Sequence, residues 1–117
     1  MNKYVVYLRR WPKKRHSAIH PALAAQETEA RRQVEYNEGV ILGMYTEKEE
    51  RWPDPKDARP ELKKAIEHAL RTDAMILIGF LGRLARSLPF TRALLDSGVQ
   101  FVCCDNPLAH HLTIHIL

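Results

Sequence analysis

Four arginines carry the chemistry this sequence could do. Arg83 and Arg86 are three residues apart, so on a helical turn they project from one face. They follow an apolar run, as Arg9 follows the run Tyr4-Val5-Val6-Tyr7-Leu8. Arg59 comes after a long charged stretch and can fold back toward the others. Converging guanidiniums grip a phosphodiester through paired hydrogen bonds, which a lysine ammonium does less well. The competing reading is surface arginine paired with Glu47, Glu49 or Asp57, an arrangement of little consequence.

Other reactive residues form weaker sets. His111 and His115 stand four apart and can share one face of a helix, yet no Cys, Asp or Glu at a recognisable spacing completes a metal site. His16, His20, His68 and His110 join no pattern. Ser17, Ser87, Ser97, Cys103 and Cys104 are the candidate nucleophiles, and none sits in a G-x-S-x-G elbow. No glycine-rich phosphate loop is present. Trp11 and Trp52 flank the arginines in sequence order; an indole there either stacks on a base or packs over a loop.

Positioning these groups requires strands and helices in alternation. Apolar runs predict strands at 3–8, 40–45, 74–78 and 99–103. Residues 22–38 are rich in helix formers, with Pro21 before them and Gly39 after. Residues 61–70 carry an amphipathic stripe of Leu62, Ala65, Ile66, Ala69 and Leu70, with Asp57 and Pro60 at its start. A short helix at 90–97 closes on Gly98, and a last one begins at 109–117. Trp52-Pro53-Asp54-Pro55 fits neither regular structure. The expectation is a three-layer α/β sandwich with a mainly parallel sheet of four or so strands. Its strand exits then share one edge, which gathers Arg9, Arg10, Trp11, Thr46, Glu47, Arg83, Arg86, Asp105 and Asn106.

Bulk properties narrow the classes. A chain of 117 residues, 45% hydrophobic and 27% charged, makes one domain, residues 1–117. The net charge of +4 suits a phosphate-bearing partner without requiring one. No apolar run reaches the roughly 20 residues needed to span a membrane, and nothing reads as a signal peptide. The two cysteines are adjacent, so two reduced and mostly buried thiols in a cytoplasmic protein are expected.

At these residues the sequence resembles the catalytic domain of the serine recombinases, the resolvase/invertase family. That domain begins with a strand ending in Y-x-R-V-S-T, where this chain has Tyr7-Leu8-Arg9-Arg10-Trp11-Pro12. Its first helix opens like S-L-E-A-Q, here Ala22-Leu23-Ala24-Ala25-Gln26. Its second strand and loop run like F-T-E-x-x-S-G and then D-R-P-E-L, here Tyr45-Thr46-Glu47 and Asp57-Ala58-Arg59-Pro60-Glu61-Leu62. Its third strand leads into K-x-D-R-L-A-R-S, here Gly79-Phe80-Leu81-Gly82-Arg83-Leu84-Ala85-Arg86-Ser87, with one residue more before Arg83. The likeness runs the length of the chain in order and stops as the family's long C-terminal helix begins.

The resemblance implies site-specific DNA strand exchange, in which a serine hydroxyl attacks a phosphodiester while arginines stabilise the developing charge. By motif, Arg9, Arg59, Arg83 and Arg86 match those arginines, and Gln26 matches the polar residue of the first helix. The nucleophile's place is held by Trp11, which has no hydroxyl. Gly82 stands where the family has an acid, and the upstream lysine is absent. The expectation is therefore a degenerate relative, catalytically inactive, with a residual phosphate- and DNA-binding surface and no cofactor or metal. Its partners are weakly held DNA and either a second copy or a related recombinase. Two alternatives stand beside it: an oligomerisation module modulating an active recombinase, and an active enzyme using another nucleophile.

Overall fold

A central all-parallel sheet is flanked on both faces by helices. The computed structural model describes residues 2–17, 20–49, 59–82, 84 and 87–105. The elements are β1 (Asn2–Arg10), a one-turn 3-10 helix (Lys13–Arg15), α1 (Leu23–Tyr36), β2 (Gly39–Lys48), α2 (Pro60–Thr72), β3 (Met75–Ile78), α3 (Leu88–Ser97) and β4 (Phe101–Cys103). The strand order is β2-β1-β3-β4. The three-layer α/β expectation is met. The last helix expected at 109–117, the Trp52-Pro53-Asp54-Pro55 loop and Asp57 lie outside the described residues.

Alternation along the strands sorts the core into two layers. Tyr4, Val6, Leu8 and Leu77 face α1, where they meet Ala30 and Val34. Val5, Tyr7, Ile76, Ile78, Phe101 and Cys103 face the other way, onto Leu62, Ile66 and Ala69 of α2 and Phe90 and Leu94 of α3. Central strands buried on both faces need continuous apolar runs, which is why β1 and β3 stand out in the sequence.

Both β1 and β2 extend further than their apolar runs. Pairing continues through Leu8↔Thr46, Arg9↔Glu47 and Arg10↔Lys48. The amide of Glu49 then donates to the Arg10 carbonyl at 2.8 Å, one step past the strand. The β1–β2 register also shifts once: Tyr4 pairs with Ile41 and Val5 with Gly43, leaving Leu42 as an extra residue, a bulge of a kind uncommon in parallel pairs.

Helix ends are fixed by local chemistry. Asp73 ends α2 and Gly98 ends α3, both in the left-handed conformation. The Ser87 hydroxyl caps α3 by accepting from the Phe90 amide at 3.3 Å. No side chain of the Arg59 cap position serves the start of α2. Glu47 of β2 does that instead, accepting from the amides of Leu62 (3.2 Å) and Glu61 (3.4 Å).

Candidate anion site

Chain direction places the site. From β1 the chain moves outward to β2, whereas from β3 it moves to the opposite side, to β4. The carboxyl ends of β1 and β3 therefore flank the point where the order reverses, the usual ligand crevice of an open α/β sheet. Arg9, Trp11, Gly79, Phe80 and Leu81 all lie there. The backbone passes close at Gly79: a Cβ there would fall 2.6 Å from Leu8 Cδ2 and 3.3 Å from Gln26 Cβ, so a larger residue would force the buried Leu8 to shift.

Gln26 completes the strand edge. The Gly79 amide donates to the Tyr7 carbonyl at 2.9 Å, and β3 offers β1 no further backbone partner. Arg9, two residues on, directs its backbone polar groups the same way. Gln26 Oε1 accepts from the Arg9 amide at 3.0 Å, and Gln26 Nε2 donates to the Arg9 carbonyl at 2.6 Å and to the Pro21 carbonyl at 3.0 Å. The side-chain amide thus acts as one more residue of strand. It is buried, and both its donor bonds go to backbone.

Arg9 is enclosed on several sides. Its Nη1 donates to the carbonyls of Leu81 (2.7 Å) and Phe80 (3.2 Å), and its Nε to Glu49 Oε1 (3.1 Å). The Trp11 indole covers the guanidinium, with Cζ 4.5 Å from the ring centroid. Trp11 is itself held edge-on by Phe80 (5.9 Å) and His20 (5.1 Å) and is 6% exposed.

Arg59 reaches the same carboxylate from the start of α2. Its Nη1 donates to Glu49 Oε1 and its Nη2 to Glu49 Oε2. Nη1 also reaches the Tyr7 hydroxyl at 3.3 Å, and that hydroxyl donates to Glu47 Oε1 at 3.2 Å. The side chains of Arg9, Glu49 and Arg59 are each only 6–7% exposed. Pairing with Glu49 was one of the competing readings of the arginines. The pair forms, but buried rather than on the surface.

Burial shapes the ionisation of this cluster. It lowers the pKa of Arg9, which Glu49 counteracts only in part. Burial opposes the charge on Arg59 as well, but the hydrogen bond and charge of Glu49, with Tyr7, outweigh it and hold that guanidinium above its ordinary value. Burial also pushes the Tyr7 phenol far up and raises the Glu47 carboxyl, although the Leu62 and Glu61 amides pull the latter down.

Above the buried cluster lies an open groove of about 280 Å³, lined by Arg10, Trp11, Pro12, Lys13, Lys48 and Glu49. Arg10, Lys13 and Lys48 are exposed. On the β3 side, Asp105 accepts from the amides of Leu81 (2.7 Å) and Gly82 (3.0 Å), which fixes the loop under Arg9. Asp105 thus braces backbone from the strand-exit edge where the sequence put it. Arg83 and Arg86 lie outside the described residues, as do His110, His111 and His115. Among the described residues no group of His, Cys, Asp or Glu has the geometry for a metal ion. Nor is any helix there long and apolar enough to cross a membrane.

No family model and no curated protein matches the sequence. Among solved structures, a resolvase family site-specific recombinase from Streptococcus pneumoniae superposes with a TM-score of 0.65 at 19% identity, covering 99% of this chain and 83% of that one. The fold is resolvase-like. Of the residues singled out in the sequence, Arg9, Arg59, Gln26 and Trp11 lie together at this edge. The sequence placed Glu49 only as a surface partner of the arginines and Asp105 only at the strand-exit edge, not as the shared carboxylate and the backbone brace that they form. The usable signal for Glu49 was its period-two spacing from Glu47 at the end of β2, which puts both carboxylates on the side facing Tyr7 and Arg9.

Proposed function

We propose that this resolvase-like domain contacts DNA through backbone phosphates and does not cleave it. Arg9, Arg59, Arg83 and Arg86 form the phosphate site, and Gln26 serves it by holding the Arg9 backbone. The observation that carries the reading is the Trp11 indole laid over the Arg9 guanidinium. The resemblance places the attacking hydroxyl at that position, and an indole can neither attack phosphorus nor form a phosphoester. Ser87 is committed to capping α3, and Ser17 Oγ accepts from the His20 amide six residues beyond Trp11. In-line attack tolerates little displacement.

The exposed Arg10, Lys13 and Lys48 at the same edge support a phosphate-bearing partner. Phosphate contacts position a protein on DNA without reading its sequence, so binding is weak, nonspecific and strongly salt-dependent. Incubation with supercoiled plasmid is expected to yield no nicked product and no covalent protein–DNA adduct. Fluorescence anisotropy with a short duplex is expected to show affinity falling steeply with salt, and falling further in Arg83→Ala/Arg86→Ala. A metal-independent covalent adduct, or an affinity that the double substitution leaves unchanged, overturns the reading.

A further inference from the structure

Arg9 and Arg59 form a two-pronged clamp on a single carboxylate. Three N–H groups, Arg9 Nε and Arg59 Nη1 and Nη2, converge on the two oxygens of Glu49. A phosphate group presents a pair of unbridged oxygens to arginine in much the same way. With Glu49 in place, and all three side chains 6–7% exposed, no external anion reaches the clamp.

Glu49 stands at the edge of the buried cluster. It sits just beyond the last residue of β2, Lys48, and among the described residues its amide bond to the Arg10 carbonyl is the last rung of that ladder. Though buried, it lies at the wall of the open groove, on the side where Arg10, Lys13 and Lys48 stand. Arg10 and Lys48 are direct cross-strand partners. Two like charges held side by side raise the local potential for an anion at the groove mouth.

We propose that Glu49 is an internal phosphate surrogate: it keeps the Arg9–Arg59 clamp closed, and a phosphate group binds there only by displacing it. The proposal rests on the reading of those arginines as a phosphate site and adds its regulation. A ligand shifts such an equilibrium only by its preference for the open over the closed state. Binding by the natural chain is therefore weakened by whatever the Glu49 contacts contribute.

The test compares the natural chain with Glu49→Gln and Glu49→Gln/Arg59→Ala. Each is melted in inorganic phosphate and in sodium chloride of equal ionic strength, and each is titrated with a short duplex. Phosphate is expected to raise the melting temperature of Glu49→Gln selectively, with little effect on the natural chain and none on the double variant. Duplex affinity of Glu49→Gln is expected to rise about tenfold, within the usual range of coupling between competing contacts. Should Glu49→Gln be unstable, restoration by phosphate still supports the proposal. Failure of phosphate to act on Glu49→Gln, or an equal effect on all three proteins, overturns it and leaves Glu49 as structural only. Phosphate stabilisation of Glu49→Gln without duplex binding by any variant sustains the surrogate while removing DNA as the source of the phosphate.

Discussion

The indole of Trp11 covers the guanidinium of Arg9, with Cζ 4.5 Å from the ring centroid, so the side chain at the tip of β1 and the one two residues before it form a single stacked unit. Trp11→Ala removes a buried indole packed against Phe80 and His20. It is expected to cost about 3–5 kcal/mol, the range for large aromatic truncations in a core. Urea denaturation measures it directly. Trp11→Ser is expected to be similarly destabilised, and a plasmid assay is expected to show no cleavage, because the Arg9 clamp remains closed on Glu49.

Gln26 matters through two backbone groups of one residue. Gln26→Glu keeps an acceptor for the Arg9 amide but cannot donate to the Arg9 and Pro21 carbonyls. Leaving a buried polar group unsatisfied costs about 1–3 kcal/mol. Hydrogen exchange gives the sharper readout. Protection of the Arg9 amide is expected to drop in Gln26→Ala by far more than protection of the Val6 amide, deeper in the same strand.

Stability should carry a pH signature from Glu47. Burial raises its carboxyl above the ordinary value of 4.5. A raised acid favours the folded state when protonated, so its contribution is fully present below pH 4.5 and is lost as pH rises through the higher folded value. Glu47→Gln is therefore expected to narrow its stability deficit against the natural chain as pH climbs from acid toward neutral. Urea midpoints taken across that range test the sign. A deficit that widens with pH contradicts it.

The thiols should be slow to react. Burial pushes Cys104 up to about 12 and Cys103 higher still, so neither forms appreciable thiolate near neutral pH. Alkylation of the native chain at pH 8 is expected to be far slower than of the urea-unfolded chain. Rapid modification of either cysteine in the native state would count against the packing of β4.

The order of elements was legible because β1, β3 and the α2 stripe are written in apolar residues. The strand ends were not. Arg9, Arg10, Glu47 and Lys48 look like loop in isolation, and only their pairing across the ladder makes them strand. The site was half legible for the same reason. The family resemblance singled out Arg9, Arg59 and Gln26, but which carboxylate a buried arginine meets depends on contacts between residues 40 apart, as for Arg9 and Glu49. The role of Gln26 was hidden because it depends on where β3 ends, a fact of sheet geometry and not of helix composition.

The extra residue in β2 has a consequence for how the domain tolerates change in length. Ile41 lies on the α1 side of the sheet, whereas Tyr45 and Glu47, an even number of positions on, lie on the α2 side. Leu42 acts there like a single inserted letter that shifts a reading frame. Remove it, and one half of the strand must turn over: either Ile41 leaves its layer, or Glu47 and the Glu49 that follows swing away from Tyr7, Arg9 and Arg59. The exposed Leu42 side chain can be exchanged at little cost. The count of residues between Gly39 and Glu49 cannot.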